Sequence, residues 1–459
     1  MSIKQRRQMH LAAFCGQPGN HAVSWRHPLA ATSAILSSSF YQEVARTAER
    51  GLFDLIFLAD ILALTESRSA ARDQSLIHEV PFRIDPFSVL PIMADATERV
   101  GLAATASTSY NEPFNIARRF AALDHLSQGR IGWNVVTTAS EPEARNFGAE
   151  AVLNHAQRYA RAGEFVEVVR KLWDSWQDDA LVADKGRGIY ADRSKIRTIN
   201  HKGDHFQVRG PLNIPRPPQG HPVLFQAGTS EIGRDFAAKT ADAVFLAAQT
   251  REEAADASTT IRLLAERHGR SASDIRFLPG VLVFVGNTRQ EAIEKQEELN
   301  RLLTPDAGYA LLGELLNVDL SQFPADGPFP DLDVNTVTGI KSRYLLLKAM
   351  AERERLTLRH VTEKVASAAG HRAVVGNQSD VADQLEDWFA AGAVDGYTIM
   401  SPHMPGALAD FVDLVVPELQ RRGLFRTRYE GRTLRDHLGL RKPNPVGDDP
   451  RYLEGAISR

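Results

Sequence analysis

Gly129-Arg130-Ile131-Gly132-Trp133-Asn134-Val135-Val136-Thr137-Thr138 is the stretch on which the fold turns. A β-rich apolar run, Ile131 to Thr137, delivers polar side chains at its end. A helical pattern opens downstream at His155-Ala156-Gln157-Arg158-Tyr159, after Asn146-Phe147-Gly148. Strand, polar terminus and helix form the unit of a parallel α/β sheet. Seven more runs read as strands: Met9 to Cys15, Phe53 to Ala59, Val100 to Ser107, Pro222 to Ala227, Ala243 to Ala248, Phe277 to Val285 and Gly396 to Ser401. Helical periodicity covers Ser39 to Arg50, Pro86 to Glu98, Asn115 to Leu126, Gln157 to Trp176, Glu231 to Thr240, Glu252 to His268, Arg289 to Leu303, Asp380 to Ala391 and Ala407 to Arg421. Eight strand–helix units favour an α/β fold of the (β/α)8 TIM-barrel type over an open sheet.

Two stretches exceed what a minimal barrel needs, and both are read as insertions in one domain. Residues 180–220 carry alternating segments such as His205-Phe206-Gln207-Val208, a small β-rich excursion. Residues 304–370 are Pro- and Asp-rich around Phe323 to Leu332, with a helix near Lys341 to Arg355. That irregular middle predicts no core of its own, and a role as a gate over the barrel mouth, aided by His78 and Glu79. The C-terminal tail, 422–459, begins basic and reads as a surface strap or subunit contact.

Composition narrows the function classes. The formal charge of −3 over 459 residues lacks the basic footprint of a nucleic-acid binder. A single cysteine, Cys15, excludes an internal disulfide and a multi-cysteine metal cluster. No run is long and apolar enough for a membrane span, and no signal-peptide pattern opens the chain, so a cytoplasmic location is expected. His201 and His205 have i,i+4 spacing without a third ligand pattern, so no metal is expected. No Gly-x-Gly-x-x-Gly opens a strand–turn–helix, so no Rossmann-type nucleotide site is expected.

In a parallel barrel the chemistry collects at the carboxyl ends of the strands. Those ends hold Cys15-Gly16-Gln17, Asp60, Thr105-Ala106-Ser107-Thr108, Asn134 with Thr137, and Gln226-Ala227-Gly228-Thr229-Ser230. Gly228 allows close backbone approach, and the helix starting at Glu231 offers unpaired amides, so Ser230 reads either as a helix cap or as part of an anion site. Asp60 is a cap, a loop charge or a ligand contact. His155 and Tyr159, four apart, share one helix face. The loop His21 to Pro28 adds two histidines, an arginine and a tryptophan at the expected mouth.

These motifs, in order from Met9 to about Leu440, resemble the oxygenating component of two-component flavin monooxygenases. The resemblance is to the bacterial luciferase-like superfamily, in the branch of nitrilotriacetate, EDTA and dibenzothiophene sulfone monooxygenases. It implies FMN, used as FMNH2, together with O2, a small organic substrate, a separate NAD(P)H:flavin reductase, and a homodimer or homotetramer. It implies flavin contacts from Asp60, Thr105, Ser107, Asn134, His155, Tyr159, Gly228 and Ser230, with Ser230 on the phosphate. Thr105, Asn134 and His21 are the candidate catalytic residues. An F420-dependent oxidoreductase and a non-catalytic flavin-binding barrel remain the alternatives.

Overall fold

Every one of the eight runs forms a strand, numbered here in chain order: β1 His10–Phe14, β2 Leu55–Leu58, β3 Gly101–Ser107, β4 Ile131–Val136, β5 Val223–Gln226, β6 Ala243–Val244, β7 and β8 Gly396–Met400. β7 comes in two pieces, Arg276–Phe277 and Gly280–Gly286. The computed structural model describes residues 7–16, 18–64, 80–228, 230–316, 318–320, 322–334, 337, 341–368 and 370–445. Gln17, His78, Glu79, Thr229 and the tail beyond residue 445 lie outside the described residues.

All neighbouring barrel strands are parallel, and the ladder runs from β8 through β1 to β6. β7 closes it. Its first piece pairs with β6 and its second with β8. The expected continuous strand breaks at Leu278-Pro279 because proline has no N–H to give the ladder. Gly280 N still donates to Leu246 O at 3.0 Å, which keeps the closure intact. Beyond that point Arg372–Asn377 pairs with Val281–Gly286, a strand the sequence reading did not anticipate.

Between barrel and helices lies the main apolar core. Trp133 and Trp173 are fully buried, and each indole N–H finds a backbone carbonyl, Ala106 at 3.0 Å and Ala117 at 2.9 Å. Burying such side chains supplies roughly 1.5–3 kcal/mol each, and the satisfied N–H avoids the desolvation penalty. Arg130 ties helix to strand from the buried side. Its guanidinium donates five bonds, to Ser127 O, Thr97 Oγ1, Val100 O, Ala94 O and Thr97 O.

The tail forms a strap across the amino ends of the strands. Leu434 N bonds Gly129 O, Arg435 reaches His221 O and Asp242, and Arg426 pairs with Asp54. Leu434, Leu438 and Leu440 pack against Ala12, Leu55, Ala103, Val223 and Ala243, plugging that end of the barrel. The expected Ala407–Arg421 helix is interrupted by a π-helical turn, Phe411–Val415, ahead of Pro417. The 180–220 excursion forms two hairpins, Leu181–Asp184 with Ile189–Ala191 and His201–Lys202 with Gln207–Val208. Glu164 organises the second, accepting from His205 N and Phe206 N and lying 3.0 Å from His201 Nε2.

The 304–370 insertion departs from expectation. Its described residues form three helices, Pro305–Leu316, Lys341–Glu354 and Leu358–Ala368, and enclose an apolar cluster of their own that includes Leu312, Leu316, Tyr344, Leu347, Leu358, Val361 and Val365. Spacings of three and four place these side chains on inward faces. The Pro- and Asp-rich middle wraps that cluster, and Tyr344 Oη accepts from Leu332 N at 2.7 Å.

Candidate active site

Four of the expected site residues, Gly228, Ser230, His155 and Tyr159, meet after β5. Ser230 caps the Glu231–Thr240 helix, its Oγ accepting from Gly233 N at 3.1 Å, and the same oxygen lies 3.2 Å from His155 Nε2. His155 opens the His155–Trp173 helix, whose start is fixed by a reciprocal Asn154–Gln157 capping box. One turn on, the Tyr159 ring sits 4.9 Å from the His155 ring. A Cβ on Gly228 would fall 2.7 Å from Tyr159 Oη, and one on Gly233 would fall 2.9 Å from it. A side chain at either position would have to displace the Tyr159 hydroxyl. Two helix amino ends thus face one small space, and both dipoles favour an anion there.

Arg158, between His155 and Tyr159 in the same helix, adds a charge. Its Nη1 donates to Leu153 O at 2.6 Å, while its buried Nε has no partner. Among the described residues no carboxylate pairs with it. Burial and the Arg158 charge both hold the His155 imidazole below its usual range, so its neutral ring can accept from Ser230 or donate onward.

Thr105 and Asn134 are direct partners in the β3–β4 register. Asn134 Nδ2 donates to Thr105 Oγ1 at 2.9 Å, which leaves the threonine proton free to point elsewhere. Asn134 Oδ1 is buried with no partner. Leaving such an acceptor bare costs about 1–3 kcal/mol, a cost that a bound donor would remove. Ser107 is spent on local structure, 2.7 Å from Thr138 Oγ1 and accepting from Ser109 N.

Asp60, half-buried beyond β2, accepts from Ile61 N at 2.9 Å. Burial, opposed by that bond and reinforced by Asp85, pushes its carboxyl up to about 6. Phe14, Phe57 and Phe245 stack with centroids 5.6–5.9 Å apart and line the barrel interior with apolar surface. Cys15 is buried, and burial pushes its thiol up to about 12, far from thiolate reactivity.

His21 does not join this group. It sits over the β8 side, its N–H bonded to Pro402 O, across the barrel from β4. Its Nε2 meets Asn300 Oδ1 at 3.2 Å and its Nδ1 accepts from Val23 N, and burial drives the ring down to about 4. A buried imidazole engaged at both nitrogens packs the first loop.

The anion cradle at Ser230 and His155, the unpartnered buried Asn134 Oδ1 and the apolar interior fit a phosphorylated, planar, N–H-bearing cofactor such as flavin mononucleotide. Fold and site together are those of a parallel-barrel protein with an anion cradle at the carboxyl ends of its strands. Comparison with known proteins agrees. The luciferase-like monooxygenase family model matches residues 21–395. Nitrilotriacetate monooxygenase component A of Aminobacter aminovorans is 47% identical, with 95% of this chain and 97% of the relative covered. N-acetyl-S-(2-succino)cysteine monooxygenase of Bacillus subtilis (strain 168) is 44% identical, with 96% and 98% covered. A crystal structure of riboflavin lyase with modified FMN and riboflavin superposes with a TM-score of 0.85 at 31% identity, covering 99% of this chain and all of that one. The chain belongs to the luciferase-like monooxygenase family and is a flavin-dependent monooxygenase. Among the described residues no helix is long and apolar enough to cross a membrane.

Proposed function

We propose that the protein is the oxygenating component of a two-component system. It takes FMNH2 from a separate NAD(P)H:flavin reductase and uses O2 to oxidise a small organic molecule, by C–N or C–S cleavage or by hydroxylation. The observation that carries this reading is the paired arrangement of an uncompensated cationic cradle after β5 and a bare buried acceptor at the end of β4. The relative named component A supports the reductase, and the lyase structure with modified FMN supports the choice of flavin.

Ser230, His155, Arg158 and the amides of the Glu231–Thr240 helix bind the phosphate, and Tyr159 packs beside them. Asn134 Oδ1 would accept a hydrogen bond from the bound flavin, and the Thr105 hydroxyl, already accepting from Asn134, would have its own proton free to donate to it. Bound reduced flavin supplies the activation of dioxygen. The phenylalanines keep water from the reacting atoms. Asp60, whose carboxyl burial pushes up to about 6, would lie against the flavin. The active form is a homodimer or homotetramer.

Anaerobic titration tests the reading. Reduced FMN should bind more tightly than oxidised FMN, because the enzyme must capture the first and release the second. Equal or reversed affinities would favour a flavin-storage barrel.

A further inference from the structure

Arg343 is a part-buried cation that the chemistry above does not use. It lies in the first turn of Lys341–Glu354 and is held from two sides, Nη1 donating to Gly370 O at 3.0 Å and Nη2 to His371 Nε2 at 3.2 Å. Gly370, with φ of +80°, turns its carbonyl to receive both Arg343 and Gln249 Nε2, the latter at 2.9 Å. Because an arginine can only donate, His371 Nε2 must be the acceptor, so the ring is neutral. Its burial and the Arg343 charge enforce the same state.

What Arg343 lacks is an anion. Among the described residues no carboxylate pairs with it, and burial, with nothing opposing it, pulls the guanidinium down to about 10. It therefore remains charged at neutral pH, where a charge drawn partly out of water without a counter-ion is costly. Arg130 shows how this fold satisfies an arginine used only for structure, with five bonds to surrounding oxygens. Arg343 has two, leaving the rest of its planar fork unassigned.

Its position connects to the barrel. The His371 ring lies 5.1 Å from Phe245, which stacks on Phe14 and Phe57 and whose N–H bonds Gln226 O, two residues before Gly228. The cation thus stands at the same end of the barrel as the flavin cradle, behind the apolar wall and on the insertion side. A planar guanidinium with free N–H groups matches a carboxylate in bidentate geometry.

We infer that Arg343, oriented by Gly370 and His371, recognises a carboxylate of the substrate, so that the enzyme acts on small carboxylic acids rather than on neutral molecules. This rests on the monooxygenase reading for its meaning as a substrate contact. Arg343 is a binding residue and His371 a positioning one.

Calorimetry on the full-length protein without flavin tests it, using nitrilotriacetate, iminodiacetate and a thioether succinate as probes, each against its neutral amide. Wild type should bind at least one carboxylate and none of the amides. Arg343→Met should weaken that carboxylate at least tenfold, with Arg343→Lys intermediate, while FMN affinity stays at the wild-type value. His371→Leu should weaken the carboxylate, and His371→Gln, whose carbonyl can accept from Arg343, should restore it. If Arg343→Met fails to fold, the Arg343→Lys and His371→Gln comparisons decide. No carboxylate bound by wild type, equal binding of acid and amide, stronger binding of matched phosphonates, or undiminished binding in folded Arg343 variants would each overturn the proposal. Oxygen uptake with FMNH2 is read separately, so a protein that binds carboxylate yet fails with flavin would sink the monooxygenase reading alone.

Discussion

Ser230 uses one hydroxyl twice, to hold the Gly233 amide of its helix and to meet His155. Ser230→Ala should therefore cost about 1 kcal/mol of stability through the lost cap and weaken FMN by about 1–3 kcal/mol, while riboflavin, lacking the phosphate, loses far less. Fluorescence titration with both ligands checks this, and equal losses would remove the phosphate assignment. Asn134→Ala and Thr105→Ala should lower product formed per FMNH2 consumed and leave FMN affinity within a few-fold of wild type. Unchanged coupling in both variants would refute their place at the reacting edge. Asp60 carries a pH signature. Its folded value, about 6, lies above the usual 3.8, so the fold favours the protonated acid. Its contribution to stability is whole below about pH 4 and is lost as pH rises through about 6. Asp60→Asn should flatten that part of the denaturation profile, an effect reduced by its partial exposure; an unaltered slope would place the titration elsewhere. The strand-end residues were legible because a polar group closing an apolar run has few other reasons to be there. Arg158 and Arg343 were not, since a lone arginine in sequence reads as solvated surface and only the missing carboxylate around it says otherwise.

The 304–370 insertion shows where reading elements from sequence fails. Proline and aspartate around Phe323 to Leu332 masked the fact that flanking helices bury Tyr344, Leu347 and Val361 against one another. An insertion with its own core moves as a body if it gates the mouth, instead of ordering from a loose loop. Hydrogen exchange should find the Lys341–Glu354 and Leu358–Ala368 helices protected in the free enzyme, with ligand-dependent change confined to the hinges near Thr304 and Gly370. Helices that exchange freely without ligand and protect on binding would restore the order–disorder gate. Tyr344→Ala should cost about 3–5 kcal/mol as for other large aromatics, and proteolysis should then cut the insertion before the barrel. Arg372–Asn377 escaped notice because its apolar run is only Ala373-Val374-Val375, too short to separate from a linker. The break in β7 was visible in Pro279, but its consequence, a strand that pairs with β6 below and β8 above, needed the third dimension.

At the scale of the molecule the barrel has two differently made ends. The amino end is sealed by the C-terminal strap, with Arg426 on Asp54, Arg435 on Asp242 and three leucines filling the base. The carboxyl end carries the unpaired cations, the bare acceptor and the phenylalanine floor. The eight-strand periodicity made the architecture legible from sequence, because alternation of buried strands and amphipathic helices has few other solutions. Closure was not, since strand count alone does not distinguish a barrel from an open sheet. The proposed function requires an oxygen atom to pass from O2 to a substrate with reduced FMN as the donor of electrons. The direct test is 18O2 incorporation, scored by mass spectrometry, with the protein, a flavin reductase, NAD(P)H, FMN and a panel of small carboxylic amines and thioethers. One 18O atom in a product that requires both the protein and FMN is the predicted result. No labelled product across the panel, with F420 turned over in place of FMN or oxidised FMN retained tightly, would contradict the account.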